Sequence, residues 1–304
     1  MIEEVVKQSQ KFLPNSKLLI FGGGFSGQHI AAVARKLGAK VFCSRRSFSK
    51  PGTDFLYDST SKAIPTSTIF EGTTHLISCI PPLENGEDPV LKILKNELTK
   101  MPLKWAGYLS TTGVYGDSKG AWVDESDITK PTQTRSIRRL ACEEEWKQSG
   151  LPVQILRLPG IYGPGRSSLE AIKNQKSKLV DKPGQVFSRI HVDDIAGSIM
   201  HLIDLAPESI SHQIINLADD LPASNVEVMK YAANLLEIKL PPLESFENAS
   251  KSMSPMALSF WKENRKVSNK KLCHELGYSL IHPSYKSGLK DCFNYLSQNF
   301  HSPY

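Results

Sequence analysis

The sequence lacks an uninterrupted apolar run of the roughly 20 residues that cross a membrane. Its first residues, MIEEVVKQSQKF, include acidic side chains and have no long apolar core, so this segment does not have the pattern of a signal peptide. From these two absences we expect a cytoplasmic protein with no membrane partner.

Cysteine is scarce. The five cysteines include no pair at C-x-x-C spacing. The odd number and the missing pair spacing favour reduced thiols over a disulfide framework. Cys43 and Cys79 lie inside apolar, strand-like runs, so we expect these two side chains to be buried.

Basic residues are not clustered strongly enough to favour a nucleic-acid-binding protein. The 37 lysines and arginines exceed the 31 acidic residues and give a formal charge of +6, but both signs are interspersed along the chain. We therefore expect no nucleic-acid partner, whereas an affinity for phosphorylated small molecules fits this balance. The 304 residues suffice for one large α/β domain with an appended lobe or for two small domains.

Short apolar runs alternate with segments of helical spacing. The runs predicted to be strands are KLLIFGG (17–23), AKVFCS (39–44), HLISCI (75–80), WAGYLST (105–111) and PVQILRL (152–158). Strands separated by helices predict right-handed βαβ units, and near-continuous apolar strands are typical of a sheet that is covered on both faces. The predicted fold is therefore an α/β, doubly wound, parallel-sheet Rossmann domain with a smaller C-terminal lobe.

The segment IFGGGFSGQHI places Gly22, Gly24 and Gly27 at G-x-G-x-x-G spacing between a predicted strand and a predicted helix. Such glycines allow a tight turn and let the backbone approach a pyrophosphate, which the free N–H groups of the helix N-terminus can bind. The segment predicts a dinucleotide site. A glycine-rich turn without a ligand is the alternative.

The second predicted strand ends in FCSRR, about 20 residues after the glycine turn, where NAD-selective sites usually carry an acidic residue for the ribose 2′-hydroxyl. Ser44, Arg45 and Arg46 stand there instead. Guanidinium groups can clamp a 2′-phosphate, so we expect NADP as the cofactor in preference to NAD. Two exposed loop arginines without a ligand are the alternative.

Three later segments resemble, in order, landmarks of the extended short-chain dehydrogenases/reductases: YLSTTGVYGD (108–117), RLPGIYGPGR (157–166) and RIHVDDIAGSI (189–199). The pattern is most similar to an atypical, NAD-dependent epimerase/dehydratase-like branch of that family. The resemblance implies an NADP-binding Rossmann domain over 1–165, to which 186–218 returns. It implies a smaller, interleaved substrate lobe over 166–304, with a cleft between the two.

The resemblance also implies a catalytic trio of Ser or Thr, Tyr and Lys. Thr111 takes the hydroxyl position, but the tyrosine and lysine positions fall on Arg135 and Arg139 in TRSIRRLACEEEW (134–146). A guanidinium cannot donate a proton near neutral pH, so these arginines are candidates for binding anions or the cofactor ribose. Tyr115 or Tyr162 is then the candidate acid, with a packing role as the alternative.

Arg135, Arg138 and Arg139 share one face of the predicted helix by their i, i+3, i+4 spacing. Ile137, Leu140 and Ala141 lie opposite, where we expect them to pack on the sheet while the arginines face the cleft or solvent. The complete candidate cofactor site consists of Gly22, Gly24, Phe25, Ser26, Gly27, Ser44, Arg45, Arg46, Ile80, Pro81, Arg139, Pro159 and Gly160.

His191 and the two aspartates that follow it, Asp193 and Asp194, resemble a set of metal ligands, but they lie in the HVDD landmark. The resemblance gives that landmark a structural role at a helix start, where Asp193 would be a good N-cap. The sequence analysis therefore predicts no metal site.

The function that we expect from the sequence is that of an NADP-dependent oxidoreductase or epimerase/dehydratase-like enzyme. Its substrate would be a small anionic molecule, phosphorylated or nucleotide-linked. The alternative is a cofactor-binding protein without turnover, which senses NADP(H) or presents a surface to a partner. Thr111 and the C-terminal lobe favour the enzyme, whereas the missing Tyr-x-x-x-Lys favours the sensor. A homodimer is compatible with the sequence, which carries no signal for an oligomeric state.

Overall fold

The structure, a computed structural model, describes residues 2–60, 64–175, 177–205 and 213–300. Its strands are β1 (Lys17–Phe21), β2 (Lys40–Arg45), β3 (Phe55–Leu56), β4 (His75–Ser78), β5 (Trp105–Thr111), β6 (Trp122–Val123), β7 (Val153–Leu158), β8 (Gly160–Tyr162), β9 (Val180–Asp181), β10 (Arg189–His191), β11 (Gln213–Asn216), β12 (Glu244–Ser245) and β13 (Lys266–Val267).

The helices are α1 (Ile2–Gln8), α2 (Phe25–Lys36), α3 (Ser67–Phe70), α4 (Pro89–Leu98), α5 (Thr134–Lys147), α6 (Ser168–Lys173), α7 (Val192–Leu205), α8 (Asn225–Leu236), α9 (Phe246–Ser250), α10 (Pro255–Trp261) and α11 (Tyr285–Phe300), with a 3₁₀ turn over Thr112–Tyr115 and a π-helical turn over Lys271–Glu275. No helix within the described ranges is both long and apolar enough to cross a bilayer.

The central sheet has seven strands in the order β11-β7-β5-β4-β1-β2-β3, and all of its pairings are parallel. The chain leaves β1 in one direction for β2 and β3, and then crosses to β4, β5, β7 and β11 on the other side. In such a sheet, ligands bind at the carboxyl ends of the strands beside this reversal. The predicted fold class is confirmed.

Two apolar cores cover the two faces of the sheet. One core joins α1, α2 and α7 to the sheet, and the other joins α4 and α5 to its opposite face. A third core packs α6, α8 and α11 together. β11 lies within 186–218 and forms one edge of the sheet, while the boundary at residue 165 stays a prediction.

All five cysteines are free thiols, as predicted. Cys43 is buried, but Cys79 at the end of β4 is only half-buried.

Helix α5 turns a different face to the sheet from the one expected. Its buried residues are Ser136, Cys142, Glu143 and Trp146. By contrast, Ile137 is 50% exposed, Ala141 is exposed and Leu140 is half-buried. The expectation that these three residues pack on the sheet was therefore wrong. The large ring of Trp146 and the polar pairing of Glu143 set the rotation of the helix.

A buried ion pair joins α5 to β7. Arg157 Nε and Nη2 donate to the two carboxylate oxygens of Glu143 at 3.1 and 2.7 Å, and the two side chains are 3% and 0% exposed. Ser110 Oγ, near the end of β5, donates to Glu143 at 2.5 Å. Burial by itself would lower the pKa of Arg157, but the bonds to Glu143 raise it above its ordinary value. The guanidinium therefore stays charged.

Glu143→Ala should lower the free energy of unfolding by about 3–5 kcal/mol, because it leaves the Arg157 charge buried without its partner. Glu144→Ala, which removes an exposed carboxylate one residue along, should cost about 1 kcal/mol or less. Urea unfolding followed by circular dichroism measures both values. Equal losses in the two variants would contradict a structural role for the buried pair.

Candidate functional site

Two cavities open at the carboxyl ends of the parallel strands and share a wall. The cofactor cavity, of about 850 Å³, lies over the glycine turn and the end of β2. The arginine cavity, of about 730 Å³, lies over the end of β5 and the first turns of α5. Residues that line both cavities are Pro81, Pro82, Ser110, Arg139, Leu158, Ile161 and Arg166. The two cavities therefore adjoin along these residues.

The glycine turn has the geometry that a pyrophosphate site requires. Gly22 has φ of +99°, which favours glycine, and a Cβ on Gly27 would lie 2.2 Å from the carbonyl oxygen of Gly22. A Cβ on Gly24 would meet nothing within 4 Å. Gly24 is also the N-cap of α2 and supplies no side chain to the free N–H groups of the helix. Gly22 and Gly27 thus shape the turn, and Gly24 keeps the space in front of the helix open.

The three residues expected at the end of β2 have different roles. Ser44 is buried, and its hydroxyl and carbonyl oxygens accept hydrogen bonds from the amides of Gly22 and Gly23 at 3.0 and 2.7 Å. It holds the glycine turn in place and also lines the cofactor cavity. Arg45 and Arg46 line the same cavity, and Arg45 Nε is buried without a hydrogen-bond partner. A buried guanidinium N–H without an acceptor is what an anionic group would satisfy.

Arg139 stands at the junction of the cavities. Its Nη1 donates to the carbonyl oxygen of Ile80 and to the hydroxyl of Tyr108, both at 3.0 Å. Ser110 lies beside it on the shared wall, held by Glu143. Thr111 lines only the arginine cavity, and its hydroxyl oxygen accepts a hydrogen bond from the amide of Gly113 at 3.1 Å. The predicted Thr111, Arg135 and Arg139 are therefore brought together in one cavity.

Positive charge dominates the arginine cavity. The guanidinium groups that line it belong to Arg135, Arg138, Arg139, Arg166, Arg189 and Arg265. Glu263 is the one carboxylate among its lining residues, and it already binds Arg265 at 2.7 Å. Arg135 lies 4.1 Å from the centre of the Phe260 ring. The cavity is suited to an anion, with an aromatic wall beside it.

Neither tyrosine proposed as an acid lies in the cavities. Tyr115 is buried, and its hydroxyl donates to Asn216 at 2.8 Å. Tyr162 is also buried, and its hydroxyl donates to the carbonyl oxygen of Ser284 at 3.4 Å. Burial raises the pKa of both phenols. The assignment of Tyr115 as a catalytic residue, with Tyr162 as its alternative, was therefore wrong, because both hydroxyls are used in packing the fold.

Comparison with known proteins identifies relatives over most of the chain. The structure of a functionally unknown conserved protein from Silicibacter pomeroyi has a TM-score of 0.83 and 34% identity, covering 94% of this chain and all of that one. The structure of a putative NAD-dependent epimerase/dehydratase from Methylobacillus flagellatus has a TM-score of 0.73 and 25% identity, covering 93% and 99%. The chain belongs to the extended short-chain dehydrogenase/reductase family.

More partial and more distant likenesses agree with this assignment. Protein YeeZ of Escherichia coli K12 is 29% identical over 178 residues, so the match spans 58% of this chain and 58% of that protein. A human epimerase family protein, SDR39U1, solved with NADPH, has a TM-score of 0.70, and a Bacillus cereus UDP-glucuronic acid 4-epimerase, solved with NAD, one of 0.73. Both are 17% identical and show the fold alone. No protein-family profile matches the sequence.

Two expected cofactor residues of this short-chain dehydrogenase/reductase lie elsewhere. Pro159 and Gly160 line the arginine cavity and not the cofactor cavity, although the neighbouring Leu158 and Ile161 line both. Their contact with the cofactor therefore stays a prediction. The remaining predicted cofactor residues all line the cofactor cavity.

Several residues that line the two cavities were not predicted from the sequence. Lys50, Tyr57 and Asp58 line the cofactor cavity around the short strand β3. Phe260 and Trp261 reach the arginine cavity from α10, a helix without buried residues. The run SFWKENR (259–265), which mixes aromatic and basic residues, was a signal that could have found this second wall.

Gly24→Val should abolish dinucleotide binding while the fold survives. The backbone φ of −74° at this position suits any residue, but the branched side chain would fill the space in front of α2. Titration calorimetry with NADPH, together with thermal melting, measures both effects. Gly27→Ala is the contrasting variant and should destabilise the fold, because its Cβ would meet the Gly22 carbonyl. A folded Gly24→Val protein with wild-type affinity would contradict this assignment.

Proposed function

We propose that the protein is an NADP-dependent oxidoreductase of the epimerase/dehydratase-like type that acts on a small anionic substrate, phosphorylated or nucleotide-linked. The observation that carries the proposal is the meeting of the cofactor cavity and the arginine cavity at Ser110 and Arg139. A cofactor over the glycine turn and an anion among the arginines would then share one reaction space.

The residues of the cofactor cavity fit a nicotinamide dinucleotide. The open space at Gly24 and the free N-terminus of α2 would take the pyrophosphate. Arg45 and Arg46 stand where an NAD-selective site would have a carboxylate, and the buried Nε of Arg45 would gain an acceptor from a 2′-phosphate. The two fold relatives were solved with different cofactors, the human one with NADPH and the Bacillus cereus one with NAD, so the choice of NADP rests on Arg45 and Arg46.

NADPH should bind at least tenfold more tightly than NADH at low salt, because a charge-assisted hydrogen bond to the 2′-phosphate contributes about 1.5–3 kcal/mol. Replacing Arg45 and Arg46 together by Ala should erase the preference, mostly by weakening NADPH. The preference should shrink with ionic strength, since Arg46 is exposed. Titration calorimetry with both cofactors measures this.

The matched control is the double variant Lys230→Ala, Lys239→Ala, which removes two exposed cations away from both cavities. It should keep the wild-type preference. Equal affinities of the wild type for NADPH and NADH would contradict recognition of the 2′-phosphate by these arginines. A preference for NADPH that persists without Arg45 and Arg46 would contradict it as well.

The chemistry of the arginine cavity is electrostatic rather than acid–base. When bound, the cofactor would supply a hydride acceptor or donor. Thr111 could hydrogen-bond a substrate oxygen, and Arg135 and Arg139 could stabilise negative charge that develops on it. Neither guanidinium passes a proton near neutral pH, so water or the substrate would have to supply one.

One observation favours the second candidate function, an NADP(H)-binding sensor without turnover. Among the described residues that line the arginine cavity there is no tyrosine, lysine, histidine or cysteine. A site of this kind can hold an anion beside the cofactor without reacting with it.

Oxidation of NADPH against carbonyl compounds that carry a phosphate or carboxylate separates the two functions. An enzyme should give turnover, and Arg135→Ala should weaken the apparent substrate affinity by about 1–3 kcal/mol while NADPH binding is unchanged. Arg139→Ala should weaken both ligands and also lower stability, since Arg139 bonds to the sheet. Tight NADPH binding without turnover of any compound would favour the sensor, and absence of NADPH binding would contradict both.

A further inference from the structure

A cluster of histidine and aspartate side chains lies outside both cavities. It consists of His29 on α2, His191 at the end of β10, Asp193 in the first turn of α7, and His282 in the segment before α11. The side chains of His191 and Asp193 are fully buried, and that of His282 is 9% exposed. Three stretches far apart in the sequence, around residues 29, 191–193 and 282, thus converge on one polar point in the interior. We call this group the histidine cluster.

Asp193 stands at the centre of the histidine cluster. Its Oδ1 lies 2.5 Å from His29 Nε2, and its Oδ2 lies 3.3 Å from His282 Nε2 and 3.7 Å from His191 Nδ1. The expected N-cap role of Asp193 was therefore wrong: the residue lies inside α7, and its carboxylate is used by the histidines. The neighbouring Asp194 instead accepts the amides of Ile281 and His282 at 2.7 and 2.9 Å.

These separations are those of ligands on a small metal ion. Zinc bonds to nitrogen and oxygen at about 2.0–2.2 Å, so two ligand atoms of a tetrahedral site lie roughly 3.3–3.6 Å apart. The potential ligand atoms of His191, Asp193 and His282 all lie within 4.8 Å of one another. The three side chains are therefore close enough to share one ion.

The charges of the histidine cluster also suit a cation. Asp193 is fully buried, and no lysine or arginine within the described ranges pairs with it. The side chains that surround its carboxylate are the imidazoles of His29, His191 and His282. Imidazole nitrogen and carboxylate oxygen are ligands that zinc binds in proteins.

We propose that the histidine cluster binds a divalent transition-metal ion of the zinc type, with His191, Asp193 and His282 as ligands. His29 would orient the carboxylate through its bond to Oδ1, and Asp291 Oδ2, 3.8 Å from His191 Nε2, would orient that imidazole. The amide of Asp193, which donates to His191 Nδ1 at 3.2 Å, would give up this acceptor to the metal.

The role of such an ion would be structural. No metal site was predicted from the sequence, because the HVDD landmark was given a structural role at a helix start. His29 and His282 come from distant segments and were not considered there. His29 lies on the helix that follows the glycine turn, and His282 precedes the C-terminal helix. A metal bound through Asp193 would join these elements to α7, outside both cavities.

The test uses tag-free protein that has been stripped with a chelator and titrated with Co²⁺ and then Zn²⁺. We expect one ion per chain, visible Co²⁺ absorption that Zn²⁺ displaces, and a melting temperature that rises by several degrees with excess Zn²⁺. Asp193→Asn and His282→Gln should each weaken uptake at least tenfold. His201→Gln is the control and should keep the wild-type uptake. His201 lies on α7, as Asp193 does, but it bonds to the carbonyl oxygen of Leu276 outside the histidine cluster. Absence of uptake by the wild type, or equal uptake in all variants, would overturn the proposal.

Circular dichroism checks that the variants are folded. If Asp193→Asn or His282→Gln is unfolded, the wild-type protein provides the test. Anomalous scattering from its crystals grown with Zn²⁺ should locate the ion between His191, Asp193 and His282. An ion bound only elsewhere, or none, would overturn the proposal.

Discussion

The buried pair of Glu143 and Arg157 fixes the geometry on which the candidate site depends. Glu143 follows Arg139 by four residues and Ser136 by seven, so all three lie on one side of α5. Holding Glu143 against β7 therefore also holds Arg139 against Ile80 and Tyr108, at the junction of the two cavities. A charge that cannot leave its partner without a large penalty is an effective constraint on the rotation of a helix.

The same ion pair explains why Tyr115, the residue expected to act as the acid, is used in packing the fold. The guanidinium of Arg157 lies 4.8 Å from the centre of the Tyr115 ring, and the Tyr115 hydroxyl continues to Asn216 on β11. The tyrosine that follows β5 is thus part of a polar chain that ties β5, β7 and β11 together at their carboxyl ends. A phenol used in this way serves the sheet and is unavailable to a substrate. The ionisable and hydroxyl groups that line the arginine cavity are then serine and threonine hydroxyls, guanidinium groups and the Glu263 carboxylate.

The sequence was sufficient for the features that depend on local patterns. Strand and helix periodicity predicted the parallel sheet, and the glycine spacing predicted the turn before α2, because these signals lie within a dozen residues. The rotation of α5 was not predictable in this way. The positions of apolar residues in the sequence favour Ile137 and Leu140 for the buried face of α5. The face that is actually buried is instead determined by Arg157 on β7, which binds Glu143 and lies 14 residues away from it. Phe260, Trp261 and His282 were missed for the same reason, since their partners are distant in the chain.

Arginine side chains in the described structure are held in more than one way, and two of these ways contrast clearly. Arg157 is neutralised by a carboxylate and buried, as a structural cation must be. Arg139 and Arg189 are instead held by backbone carbonyls: Arg139 by Ile80, and Arg189 by Phe187 and Ala223. A carbonyl fixes the direction of a guanidinium without placing a full negative charge against it. Guanidinium groups that are oriented in advance need little rearrangement to bind an anion, and such preorganisation suits a site for a small anionic ligand.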